Sequence, residues 1–228
     1  MDVGIPESTA IGLLVIVIAI LLATVFGAFL IGSIPFGYIV GRIFYHTDIR
    51  RQGSGNIGAM NALRTLGRGG AIVVLLLDAL KGFVPTLSAM LFFRGVLDTE
   101  GFPPTDQIMG ALVAGAAVLG HCFSPWLRFK GGKGVATSFG AIFALCWPAG
   151  LVALGGWIAG AVLTRYSSVG SLLGSVLAPF AIYGFTRSVP ETLYGVFAAL
   201  LVIFTHRENI ARLRSGTEGP IRLLKPHA

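Results

Sequence analysis

Three short polar segments of this chain combine residue types that bind phosphate and handle protons. The first is Gly53-Ser-Gly-Asn-Ile-Gly-Ala-Met-Asn-Ala-Leu-Arg64. Its glycines allow backbone to approach a ligand closely, and Ser54 ahead of a helical stretch fits an N-cap whose positive helix end faces an anion. Asn61 and Arg64 stand three apart and share a helix face, with Asn56 in the turn before them. The second segment is Phe129-Lys-Gly-Gly-Lys-Gly-Val-Ala-Thr137, where Gly131, Gly132 and Gly134 surround Lys133. That pattern predicts a nest of backbone N–H groups around one ammonium, suited to a phosphate or an oxyanion. The third is His206-Arg-Glu-Asn209 with Arg212, in which His206 and Asn209 point to one side of a helix.

Each segment has a plainer reading: an interfacial helix whose arginine meets lipid headgroups, a basic loop with a tight turn, and a solvated juxtamembrane tail. Glycine on both sides of Lys133 argues against the plain reading there, since a topology signal does not need it. Asp78 and Lys81, three apart within an apolar run, predict a self-neutralising clamp facing a bundle interior. His121 reads as a buried, hydrogen-bonded histidine, and Ser167, Ser168 and Ser171 as helix capping and small-residue packing.

Other patterns fail on context. Gly53–Gly58 fits G-x-G-x-x-G with Asp78 twenty residues on, but a dinucleotide site needs strands on both sides, and apolar helices stand there instead. Gly132-Lys133 lacks the Ser or Thr, and the earlier glycine, of a phosphate-binding P-loop. No G-x-S-x-G elbow occurs, and neither His121 nor His206 has an aspartate five residues on. Asp48, Glu208 and Glu218 are too scattered to suggest a metal, and no cofactor or nucleic-acid partner is expected.

The elements that must position these residues are membrane helices. Of 228 residues, 54% are hydrophobic and 12% charged, with a mean hydropathy of +0.81. A soluble domain carries about twice that charge. Cys122 and Cys146 sit in apolar surroundings without metal or redox spacing, so no disulfide framework is implied. No charge occurs from Ser8 to Gly41, a run too long for one upright helix, and Gly32, Pro35 and Gly37 mark a kink or an overshoot. Its acidic leader, MDVGIPES, lacks the basic start of a cleaved signal. Further apolar runs fall at 71–93, 107–127, 134–164, 166–186 and 192–206. Breaking 134–164 near Pro148 and Gly150 gives seven spans; with the N-terminus outside, 14 of the 17 Lys and Arg then face inward. Only Arg94 and Arg187 fall outside, with Lys81 inside a span, and an outer loop holds Asp98, Glu100 and Asp106. Six spans would expose Arg207 to Lys225 on the outer face, so seven are expected, with the C-terminus cytosolic.

Taken in order, GSIPFG, GSGNIGAMNALRTLG, LDALKG, GHCFSPWLRFKGGKGVAT, RYSSVGS and HRENIARL resemble the bacterial acyl-phosphate-dependent glycerol-3-phosphate acyltransferases, from about Gly32 to the end of the chain. Residues 1–31 lie outside these motifs, within a single transmembrane domain spanning 1–228. The resemblance implies a seven-helix protein of the bacterial inner membrane with its site facing the cytosol. It implies transfer of an acyl group from acyl phosphate to the 1-hydroxyl of glycerol 3-phosphate, giving lysophosphatidic acid and phosphate. It assigns site roles to Ser54, Asn56, Arg64, Lys133 with Gly131, Gly132 and Gly134, Ser168, His206 and Asn209. On this reading the Gly131–Gly134 loop holds the donor's phosphate and the developing oxyanion, while Arg64, Ser54 and Asn209 orient the acceptor. His206 is either the base or an aligner that lets the acceptor's own phosphate take the proton. The contrasting expectation is a transporter or flippase for a phosphate ester or anionic lipid, but alternating access calls for a polar site near mid-membrane.

Overall fold

A computed structural model describes residues 7–96, 100 and 103–221, and every regular element among them is helical. In chain order these are α1 (Glu7–Ser33), α2 (Phe36–Phe44), α3 (Ala59–Thr65), α4 (Gly67–Phe93), α5 (Thr105–Cys122), α6 (Val135–Leu145), α7 (Trp147–Thr164), α8 (Ser167–Thr186), α9 (Val189–Thr205) and α10 (Arg207–Arg214). Short 3₁₀ turns at Ile49–Arg51 and Pro125–Leu127 lead into the first two polar segments. Most of the acidic leader, together with Asp98, Arg222 and Lys225, lies outside the described residues.

Among the described residues, five helices are long and apolar enough to cross a membrane: α1 from Ile11, α4, α5 with the turn after it, α7 and α8. The bent pair α9 and α10, 57° apart at His206, makes a sixth crossing if taken as one span. Helix α6 has 11 residues, which gives it a length of about 16 Å against a hydrocarbon core of about 30 Å.

Two breaks shape the bundle. The long first run parts at Ile34-Pro35, where the proline ring disfavours continuation of α1, and α2 begins at Phe36. The run 134–164 parts at Cys146, ahead of the expected position near Pro148 and Gly150. Pro148 stands in the first turn of α7, where its missing N–H needs no partner, so it starts a helix instead of breaking one. Gly150 lies inside α7 against the Phe143 ring.

Small residues let the helices meet at backbone distance, as packing in lipid favours. A Cβ on Gly82 would overlap Thr137 O, and one on Gly140 would overlap Ala79 O, so α4 and α6 touch along their backbones. The α1–α5 contact is built the same way from Gly32 against Ala117 O and Gly120 against Phe29 O. Side chains facing away, among them Leu14, Leu22 and Phe26 of α1, are exposed hydrocarbon that a bilayer solvates. Both cysteines are free and buried. The expected clamp is present: Lys81 Nζ lies 2.8 Å from Asp78 Oδ1, with both side chains almost fully buried in α4.

Candidate active site

The first segment is organised by Asn61, a 2% exposed side chain at the centre of the loop before α3. Its Oδ1 accepts Ser54 N at 2.8 Å, and its Nδ2 donates to Ile49 O, Asn56 O and Gln52 O. Asn56 Oδ1 accepts Gly58 N at 2.9 Å, closing a second small ring. The expected Ser54 N-cap is therefore corrected: α3 starts after Gly58, without a side-chain cap, because the two asparagines already hold the loop amides. Ser54 and Arg64 are exposed, whereas Asn61 faces inward and serves as scaffold. Asn61→Ala is expected to cost about 2–3 kcal/mol, since it orphans buried backbone partners. Thermal unfolding in detergent measures this, and Asn61→Asp isolates the lost amide donors.

The second segment departs from the expected nest. Gly131 N donates to Cys122 O and Gly132 N to His121 O, each at 3.0 Å, so these amides satisfy the last carbonyls of α5 and do not face a ligand. Their lack of Cβ serves that approach: side chains on Gly131 and Gly132 would strike His121 O, Cys122 O and the His121 imidazole. Gly134, with φ +82°, turns the chain into α6. The amides able to meet an anion here are those of the first turn of α6, which begins two residues after Lys133. Thr205 Oγ1 donates to Lys133 O at 3.0 Å and ties the loop to the end of α9.

The third segment meets the second directly. Lys133 Nζ donates to Asn209 Oδ1. Asn209 Nδ2 in turn donates to Glu218 Oε1 at 2.6 Å, which also accepts Ser168 Oγ at 2.8 Å. Arg212 pairs with Glu218 Oε2 at 2.7 Å. Among the expected residues, Lys133, Asn209 and Ser168 thus join one network, and Ser168 takes the contact that Ser167 and Ser171 do not. Ser171 Oγ instead bonds back to Ser167 O. Arg64 is near enough for its charge to act on Lys133. Ser54 N and Asn56 Oδ1 bond within their own segment, to Asn61 of α3 and to Gly58.

Glu218, set aside in the sequence as an isolated acid, is the residue that reading missed. Past α10 the chain reverses at Gly216, φ +72°, Thr217 N bonds to Arg212 O, and Ile221 N reaches Arg165 O. A glycine just past a helix end was the available signal. Burial pushes the Glu218 carboxyl up, but hydrogen bonds from Asn209, Arg212 and Ser168 outweigh it and hold the acid below its usual range.

Charge is concentrated at this network. Burial first, then Arg212 and Arg64, push the Lys133 ammonium down to about 8. His206 is 3% exposed at the bend between α9 and α10. Its ring Nδ1 bonds to Val202 O at 2.8 Å, which fixes Nδ1 as the protonated nitrogen and leaves Nε2 as the acceptor. Burial first, and then the Lys133 charge, push His206 down to about 4, so the ring is neutral at physiological pH. Asp48, at the opening of the first loop, is tied by Arg50 and held at about 2.

A family model described as glycerol-3-phosphate acyltransferase matches residues 10–216. A glycerol-3-phosphate acyltransferase of Synechococcus sp. (strain JA-2-3B'a(2-13)) is 44% identical over 86% of this chain and 92% of its own length. One from Rhodopseudomonas palustris (strain BisB5) is 45% identical over 90% and 97%. The crystal structure of PlsY (YgiH), an integral membrane glycerol 3-phosphate acyltransferase, in its glycerol 3-phosphate form superposes with a TM-score of 0.80 at 34% identity, covering 89% of this chain and 96% of that one. Its lysophosphatidic acid form gives 0.78 at 33% identity, with the same coverage.

Proposed function

The chain belongs to the glycerol-3-phosphate acyltransferase family, an integral membrane enzyme family of phospholipid synthesis, and on that premise we propose that its acyl donor is an acyl phosphate. The acceptor's 1-hydroxyl oxygen bonds to the acyl carbon, the bond from that carbon to the phosphate oxygen breaks, and the hydroxyl proton leaves to a phosphate oxygen. The products are 1-acyl-glycerol 3-phosphate and inorganic phosphate. The ligands named for the two similar structures, glycerol 3-phosphate and lysophosphatidic acid, are this reaction's acceptor and product.

The observation that carries the reading is the Lys133–Asn209 contact, which joins the second and third segments, with the Arg64 charge of the first segment acting on Lys133. Two phosphates held close together require such neighbouring cations. A mixed anhydride is already activated, so the reaction needs no enzyme nucleophile. In this assignment Lys133 and the first turn of α6 take the donor phosphate and the oxyanion, with Gly131, Gly132 and Gly134 shaping the approach. Arg64, Ser54 and Asn209 orient the acceptor, while Asn56 and Ser168 support their segments. The acyl chain enters sideways from lipid. With α6 as a short seventh crossing and the N-terminus outside, the basic segments face the cytosol of a bacterial inner membrane, in keeping with the positive-inside bias.

His206 is assigned as an aligner. A base held near 4 is poorly matched to an alcohol at neutral pH, whereas the acceptor's own phosphate, with a second pKa of about 6, is better placed. His206→Gln is expected to keep roughly a tenth of the rate with an unchanged pH profile. Loss of all turnover with an altered acid limb would make His206 the base.

The donor is tested by incubating the purified protein with glycerol 3-phosphate and, in parallel, palmitoyl phosphate, palmitoyl-CoA or palmitoyl-acyl-carrier protein. Phosphate and lysophosphatidic acid are expected in equal amounts from palmitoyl phosphate alone. Turnover with a thioester and none with palmitoyl phosphate would overturn the proposal.

A further inference from the structure

The glycine loop does not hold itself in place. Its amides go to the His121 and Cys122 carbonyls, and the His121 imidazole lies against Gly132, where a side chain would run into Nε2 of that ring. His121 is therefore the floor on which the backbone just before Lys133 rests. It is 3% exposed, and its Nδ1 stands 3.6 Å from Asp78 Oδ1 without a hydrogen-bond partner. Asp78 is ion-paired with Lys81, and Lys81 Nζ donates to Ile34 O at 2.8 Å. Ile34 is the residue at which α1 gives way to α2, and α2 presses Gly37 against Ile57 O in the Arg64-bearing segment.

A buried ion pair is a poor stabiliser, since apolar residues of similar volume do as well or better, so self-neutralisation alone does not account for this one. Its outward contacts distinguish it. One end meets the imidazole under the lysine loop, and the other holds the Ile34 carbonyl, which also accepts Phe36 N, at the base of the α2–α3 segment. We infer that His121 is a positioning residue for Lys133, held in register by the Asp78–Lys81 pair, which ties the lysine loop to the α1–α2 break. The inference rests on the reading that the lysine loop binds a substrate phosphate. It gives a role to the two sequence features that the chemistry leaves unused, the intramembrane pair and the histidine after Gly120.

Purified full-length His121→Ala, His121→Asn and Gly132→Ala are compared by measuring KM for palmitoyl phosphate and for glycerol 3-phosphate separately, alongside kcat. His121→Ala is expected to raise, by roughly 10- to 100-fold, the KM of the same substrate that Gly132→Ala affects, as a small misplacement of a binding group does. Its kcat should stay within about threefold, and His121→Asn should recover most of the loss. Asp78→Asn combined with Lys81→Met removes both charges at similar volume, and a milder rise in the same KM is expected even if His121→Ala does not fold. Overturning outcomes are a His121→Ala protein that loses only thermal stability, one whose affected substrate differs from that of Gly132→Ala, or a double variant with both KM values unchanged. Which substrate is affected tests a different claim. If Lys133→Met and Gly132→Ala both act on glycerol 3-phosphate, the donor-phosphate assignment fails, while the positioning role stands provided His121→Ala follows them.

Discussion

Lys133→Met is expected to lower kcat/KM about a thousandfold, the scale on which removal of a preorganised donor to a developing oxyanion is felt. Methionine keeps most of the volume and hydrocarbon of the lysine stem, so the loop itself should survive, held by Thr205 and by the carbonyls of α5. The pH dependence is a second signature. The ammonium is held at about 8, so it is charged below that value and loses its proton above it. Wild-type kcat/KM, which reports the free enzyme, should therefore fall as pH rises through about 8. Lys133→Arg keeps its charge throughout that range and should flatten the basic limb, while still losing rate because a planar fork does not fit a point-charge site. A basic limb that persists unchanged in Lys133→Arg would remove Lys133 from the role assigned to it.

Glu218→Ala is the other large effect, expected at about a hundredfold in kcat/KM with a lower thermal midpoint. It orphans the Asn209 amide, the Ser168 hydroxyl and Arg212 together. A carboxylate with three partners could be only a structural tether, and the pH profile separates the possibilities. The Glu218 charge favours the protonated form of Lys133, and Arg212, left unpaired, disfavours it. Glu218→Gln should thus move the basic limb below about 8, and the profile should return when Arg212→Gln is added. A purely mechanical tether leaves the limb where it was.

The architecture was legible wherever it followed from where charge can sit. Charge-free runs located the long helices, and Pro35 marked the α1–α2 break, because its ring removes an amide and crowds the carbonyl four residues back; α4 and α8 run on through Pro85 and Pro179. Pro148 misled by two residues for the opposite reason, since a first-turn proline costs a helix nothing. At the site, spacing singled out Lys133 and Asn209 and the family resemblance added Ser168, but neither could say which partners the amides of Gly131 and Gly132 would take. That depends on the carbonyls of α5 ending where the loop returns. Glu218 was illegible because its position follows from a chain reversal at Gly216 whose direction no local pattern encodes. Asn61 looked like a ligand residue beside Arg64, yet it is the core of its loop, a distinction only burial makes.

The most direct measurement of the shared pocket is a double-mutant cycle in kcat/KM between Arg64→Met and Lys133→Met, repeated between Lys133→Met and Asn209→Ala. Groups that grip the same pair of phosphates do not fail independently, so each double variant should lie within about tenfold of Lys133→Met alone. Losses that multiply, with coupling below about 0.5 kcal/mol in both cycles, would mean that the three segments act at separate places and would contradict the account.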